Sequence, residues 1–257
     1  MEEEFHNHMR IPWHDYTRKS IGRPITEASL SEKASIIGRT GIMLLSCGTG
    51  AWRVRSSMNT LARELGITCT ADIGLLSIEY TCIDGGNCYT ESLCLFNTGV
   101  NTSKLYRMEE FVNKFAGNCK KMSGDELHTL LDRIHEIHGF YSPPFLGLAA
   151  AVACCAFTFL LGGGPVEMFC AFLGAGAGNY LRAKMNQHHL TLFLCTAASV
   201  ALACIVYTIA FTALKSGFHV SIHHQAGYIC SMLFIIPGFP FITSGIDLAK
   251  LDMRSGL

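Results

Sequence analysis

The sequence predicts an α-helical integral membrane protein with an N-terminal cytosolic α+β domain. Three observations lead there. Only 16% of the 257 residues are charged, against about 25% in an average soluble domain. Of the 40 charged side chains, 32 fall in residues 1–143. Past that point lie four long apolar segments, interrupted between Pro144 and Ile246 by only Glu167, Arg182, Lys184 and Lys215. The chain therefore divides into a polar tail over 1–28, a cytosolic α+β domain over 29–140 and a membrane domain over 141–257.

The cytosolic domain reads in the order ααββαα. Ser29-x-x-Glu32 is a capping box, and Leu30, Ala34, Ile37 and Leu44 continue it as an amphipathic helix over 30–47. Gly48-Thr49-Gly50 breaks that helix. The next carries Val54, Met58, Leu61 and Leu65 on one face, and Gly66 stops it. Two β-rich stretches follow, 73–83 and 88–96, joined by Asp84-Gly85-Gly86-Asn87, a hairpin turn by composition. Leu105, Met108, Phe111, Val112 and Phe115 mark a third helix. Ser123-x-x-Glu126 caps a fourth, striped by Leu127, Leu130, Leu131, Ile134 and Ile137, that leads towards the membrane.

The four apolar segments run over about 144–161, 165–181, 190–214 and 226–246, near the roughly 20 residues that span a hydrocarbon core. None shows a charged stripe, so their partner is the lipid bilayer. In the second segment Gly174-x-x-x-Gly178 has the spacing that lets a neighbouring helix approach closely, and helix packing is its expected role. Glu167, at the outer end, is expected to face water, and Asn179, at the inner end, to cap or bond a neighbouring helix or to line the substrate pathway.

The fourth segment is broken. Pro237 and Pro240 each remove an amide donor and Gly238 loosens the turn, leaving carbonyls without intrahelical partners. Such breaks bind ions or substrates in transporters, and they also occur as structural kinks satisfied by neighbours. Thr243, Ser244 and Asp247 follow within two turns and suit a polar pathway.

Arg182 and Lys184 fall between the second and third spans, and Lys250 and Arg254 after the fourth. Lys215 alone falls between the third and fourth. The positive-inside rule then places the N-terminal domain and the C-terminus in the cytoplasm. The acidic N-terminus lacks an apolar signal core, so no cleaved signal is expected. Zero net charge without a Lys/Arg cluster argues against nucleic acid as a partner.

Twelve cysteines without a CxxC pair read as reduced packing residues. His219, His223 and His224, or His135 with His138, fall short of a metal-ligand set, and GTGAWR lacks the residues of a phosphate loop, so neither metal nor cofactor is expected. For an enzyme, Ser46, Cys47 and Cys69 are the candidate nucleophiles and His128 or His135 the candidate bases. Asp72 and Glu79 flank a strand start and read equally as surface residues.

SCGTGAWRVRSSMNTLARELGI resembles the opening signature of the threonine/serine exporter family. The resemblance continues through LYRMEEFVNKF to PGFPFITSGIDLAKLD, a Pro-Gly-x-Pro segment with an acidic exit. It implies an N-terminal cytosolic part joined to membrane spans, with export of threonine or serine; split relatives pair such a chain with a short membrane protein and export the C4-dicarboxylate succinate. Carried over by residue, it points to Gly48, Gly50, Arg53 and Val54 in the cytosolic signature, and to Pro237, Gly238, Pro240 and Asp247 in the membrane one. Long family members continue into a second membrane half. This chain ends ten residues after Asp247, so a short membrane-protein partner or a missing C-terminal half is expected, in an oligomer.

The expected protein is therefore a multi-pass secondary transporter of the bacterial inner membrane, exporting threonine or serine. The alternatives are a succinate exporter subunit and a membrane-anchored hydrolase using its cytosolic domain. Asp247 is read as proton acceptor or ammonium partner, Thr243 and Ser244 as substrate hydrogen-bonding groups, and Arg53 as a gating cation or as one half of a salt bridge.

Overall fold

A computed structural model describes residues 11–18, 22–95, 99–117, 119–137, 141–188, 190–218, 225–236 and 238–256. The chain forms two units, one comprising Met1–Gly139 with Gly238–Leu257, the other Phe140–Pro237. The last twenty residues thus fold with the polar N-terminal part.

In the first unit, α1 (Leu30–Ser46) and α2 (Ala51–Glu64) precede three strands, β1 (Thr68–Ile73), β2 (Ser77–Asp84) and β3 (Asn87–Cys94), and α3 (Thr102–Lys114) and α4 (Gly124–His135) follow. Helix α1 starts on Ser29, whose hydroxyl accepts the Glu32 amide at 3.4 Å while the Glu32 carboxylate accepts the Ser29 amide at 3.3 Å. Ser123 and Glu126 form the same reciprocal pair at α4, at 3.3 and 2.8 Å. Two orphan donors are satisfied at each start.

Almost every residue of α1 is buried, so it is the central element rather than a surface helix. Its fully buried Ile36, Ile37 and Leu44 each contribute about 1.5–3 kcal/mol of burial. Gly41 admits the Met58 side chain of α2, whose sulfur would lie 2.7 Å from a β-carbon there.

The sheet is antiparallel in the order β1-β2-β3, with Cys69 opposite Cys82 and Ile83 opposite Cys88. The observed order is ααβββαα, one strand more than the sequence predicts. The predicted stretch 73–83 contains a tight turn, closed by the Gly74 amide donating to the Ser77 carbonyl at 2.8 Å. Leu75 and Leu76, 71% and 40% exposed, occupy that turn and make it read as strand. The true first strand alternates exposed Thr68, Thr70 and Asp72 with buried Cys69 and Ile73, a pattern its small residues disguise.

The second unit contains α5 (Pro143–Leu160), α6 (Pro165–Gln187), α7 (Leu192–Phe218) and α8 (Gln225–Cys230), then a 3₁₀ turn, Leu233–Ile235. Among the described residues, Pro143–Leu160 and Leu192–Ser216 are long and apolar enough to cross a membrane. A third is added if Ala226–Ile235 and Gly238–Ala249 count as one broken span. The sequence predicts four. Helix α6 falls short because Glu167, Asn179, Arg182 and Lys184 dilute its apolar residues, and it runs on to Gln187, so Arg182 and Lys184 lie in a helix and not in a loop. The chain resumes as α9 (Gly238–Ala249) and α10 (Met253–Gly256), both in the first unit. Pro237, His138, His219, His223 and His224 lie outside the described residues.

Candidate functional site

The Gly48-Thr49-Gly50 turn separates α1 from α2, with Gly48 in the left-handed region at φ +77. The turn leaves the first amides of α2 without intrahelical partners. Gly50 offers no side chain to cap them. Asp247 does: its carboxylate accepts the Ala51 amide at 2.9 Å, the Trp52 amide at 3.3 Å and the Ser255 hydroxyl at 2.9 Å. It is 2% exposed. A carboxylate at a helix N-terminus also opposes the positive end of the helix dipole. A β-carbon on Gly50 would lie 2.7 Å from this carboxylate, so the glycine is what lets Asp247 approach.

Further pairs bind the same C-terminal stretch. Arg55 donates to Asp252 at 3.0 Å and to the Ala71 carbonyl at 3.0 Å. The Asp252 hydrogen bond holds the Arg55 guanidinium above its usual pKa. Lys250 sits 4.4 Å from the Trp52 ring centroid, a cation–π contact, and Arg254 pairs with Asp72.

The two quoted signatures therefore meet, Gly50 against Asp247, over a separation of about 200 residues. The other signature residues point elsewhere. Arg53 donates to Glu109 of α3 at 2.6 Å in a half-exposed pair, worth about 0.2–1 kcal/mol. Val54 is fully buried in the core. Thr243 donates back to the Phe239 and Pro240 carbonyls of its own helix, while Gly238 and Pro240 are exposed and Ser244 half-buried.

In the second unit, α6 presents small residues to α7. A β-carbon on Gly174 would lie 2.8 Å from the Ala203 carbonyl, and one on Gly178 2.8 Å from both the Ser199 carbonyl and the Phe234 ring. Asn179 donates to the Leu146 carbonyl of α5 at 2.8 Å. The Arg182 guanidinium donates to the Phe234 carbonyl at 3.2 Å, taking up one backbone acceptor in the 3₁₀ turn Leu233–Ile235. Glu167 is 2% exposed, contrary to the expectation that it faces water. The signal for this was present: the carboxylate sits three residues after Gly164, where it accepts the Gly164 amide at 2.9 Å and is drawn back over the helix start.

A third cluster lies in the first unit, beside a cavity of about 560 Å³ lined in part by Trp13, His14, Arg39, Ser46, Asp132 and His135. His14 hydrogen-bonds Asp125 at 2.6 Å and Asp132 at 2.8 Å, and both bonds raise its pKa. Buried Arg39 pairs with Asp132. Burial pushes the Asp132 carboxyl up, but the Arg39 and His14 hydrogen bonds outweigh it and leave it below the usual carboxylate range.

This arrangement bears on the hydrolase reading. His128 is fully buried, and burial pushes its pKa down to about 3, so the ring is neutral. Arg39 has only donors and lies 3.2 Å from Nδ1, which must accept, so Nε2 carries the proton and donates to Ser35 at 3.1 Å. No lone pair of His128 is left to serve as a base. Ser46 spends its proton on the Met43 carbonyl at 2.7 Å, and Cys47 is buried with its thiol pushed up by that burial.

The family model described as "Putative threonine/serine exporter" matches residues 35–257. A curated relative, "Probable succinate transporter subunit YjjP" of Escherichia coli (strain K12), is 23% identical over 221 residues, 84% of this chain and 82% of its own. No solved structure matches the chain. The matched region takes in α2, its Asp247 cap and the apolar helices between them, and the chain belongs to the threonine/serine exporter family.

Proposed function

We propose that the chain is the larger subunit of a secondary exporter of a small carboxylate-bearing metabolite, threonine or serine first and succinate second. It works in the bacterial inner membrane with the first unit and the C-terminus cytoplasmic. The observation that carries this reading is the interrupted helix ending in Leu233–Ile235, whose Phe234 carbonyl is bonded by Arg182 inside an otherwise apolar helical unit. Backbone freed from its helix at membrane depth is tolerated where protein or a polar path satisfies it. Family membership and the YjjP relative support transport, and the relative's description as a subunit supports a partner chain.

In this reading Asp247 works as a latch. Both its oxygens accept hydrogen bonds, from two amides and a hydroxyl, which ties the carboxylate to the start of α2 while that helix is capped. Release of the latch frees the Ala51 and Trp52 amides, a ready anion site, to a carboxylate on the substrate. Thr243 and Ser244 on the same helix contribute hydroxyls to the path once Thr243 leaves its intrahelical bonds.

The test is efflux from proteoliposomes containing the chain, with and without a short membrane partner, against threonine, serine and succinate. Saturable flux of one of them is expected, falling about tenfold or more in Asp247→Ala, the loss of roughly 1.4 kcal/mol of specific interaction. No flux of any of the three overturns the transport reading.

A further inference from the structure

Glu167 is the sole carboxylate of the unit Phe140–Pro237. Its Oε2 accepts the Gly164 amide, while its Oε1 is buried with no hydrogen-bond partner among the described residues. Buried polar oxygens are nearly always paired, and an unpaired one calls for an explanation. No cation is ion-paired with it among the described residues, and taking an unpaired carboxylate out of water costs several kcal/mol.

The surroundings are close-packed. A β-carbon on Gly163 would lie 3.0 Å from Oε2, and one on Gly227 2.9 Å from the Glu167 β-carbon and 2.6 Å from the Tyr207 hydroxyl. Among the described residues, the titratable groups facing it are Tyr207 of α7 and Cys170 of its own helix, with Cys230 of α8 beside Tyr207. From α5 comes the hydroxyl-bearing Thr158, which donates back to Cys154. None of these neighbours supplies a positive charge.

We propose that Glu167 carries the coupling proton of transport. With the helices packed, the proton sits on Oε1 and the carboxyl is neutral. When the packing around Gly163 and Gly227 loosens and water enters from one side, the carboxyl releases H⁺ to that water. The carboxylate left behind takes H⁺ from water on the other side before the helices close again. This rests on the transporter reading and moves the proton role from Asp247, whose oxygens are engaged, to the acid with an oxygen unpaired among the described residues.

The test uses the full chain, with its partner subunit where one copurifies, in proteoliposomes. Two measurements are made: exchange of labelled substrate at equal concentrations and equal pH, and accumulation against a gradient driven by one pH unit. Glu167→Gln keeps the amide oxygen that caps Gly164, so the fold is retained. It is expected to keep exchange and to lose the accumulation, which for one coupled proton is about tenfold per pH unit. Glu167→Asp is expected to restore part of it.

Accumulation unchanged in Glu167→Gln, loss of both activities, or accumulation driven by sodium at fixed pH would each overturn the proposal. An infrared difference spectrum adds a readout independent of flux: a protonated-carboxyl band present in the wild type and missing in Glu167→Gln. If no substrate exchanges in the wild type, the transport reading fails alone, and absence of that band overturns the Glu167 assignment by itself.

Discussion

At the scale of single residues, the Gly50–Asp247 contact is the most exposed to test. Asp247→Ala removes the acceptor for two α2 amides, and loss of a cap of this kind costs about 0.5–2 kcal/mol. Gly50→Ala is expected to cost at least as much in the wild type, because its methyl group meets the Asp247 carboxylate. In the Asp247→Ala background the same substitution should cost much less. Thermal unfolding of the four proteins in detergent measures the coupling; simple additivity would mean that the close approach is not what makes Gly50 necessary. Neither partner announces the other in the sequence. Asp247 reads as a polar residue at the mouth of a span, and Gly50 as a helix breaker, because a cap supplied from 196 residues away leaves no local pattern.

At the scale of elements, helix boundaries with a local chemical cause were legible. The two capping boxes, the Gly66 stop at φ +71 and the turn between Asp84 and Asn87 all stand where side-chain chemistry puts them. Elements without such a cause were not. Strand β1 is built from small polar residues, and its turn into β2 is filled by two leucines, so periodicity alone merged the two strands. Helix α6 outruns its apolar segment because an α-helix stops where its backbone bonding stops, and nothing at Leu181 interrupts that bonding. The α6–α7 contact makes its own prediction. Gly178→Ala places a methyl group 2.8 Å from the Ser199 carbonyl and 2.9 Å from the Ala203 β-carbon, an overpacking cost of about 1–3 kcal/mol. Gly245→Ala on α9 meets nothing within 4 Å and should be neutral or stabilising by up to about 1 kcal/mol. Melting temperatures of the two variants in the same detergent check the contrast, and equal effects would remove the packing argument.

At the scale of the whole molecule, the first unit is discontinuous in sequence, with about 100 residues of apolar helices inserted before its last twenty. A chain stopped after residue 237 is expected to keep α1, the sheet and α4, whose caps are local. It should lose hydrogen-exchange protection at Ala51 and Trp52, whose acceptors lie on Asp247. Protection there equal to that of the full chain would mean that the latch is dispensable. The same discontinuity sets a clock on biosynthesis. At about 5–20 residues per second the ribosome needs roughly 10–40 seconds to carry the chain from Ala51 to Asp247. Throughout that interval α2 begins with bare amides, and the apolar helices are already made before the polar unit can close.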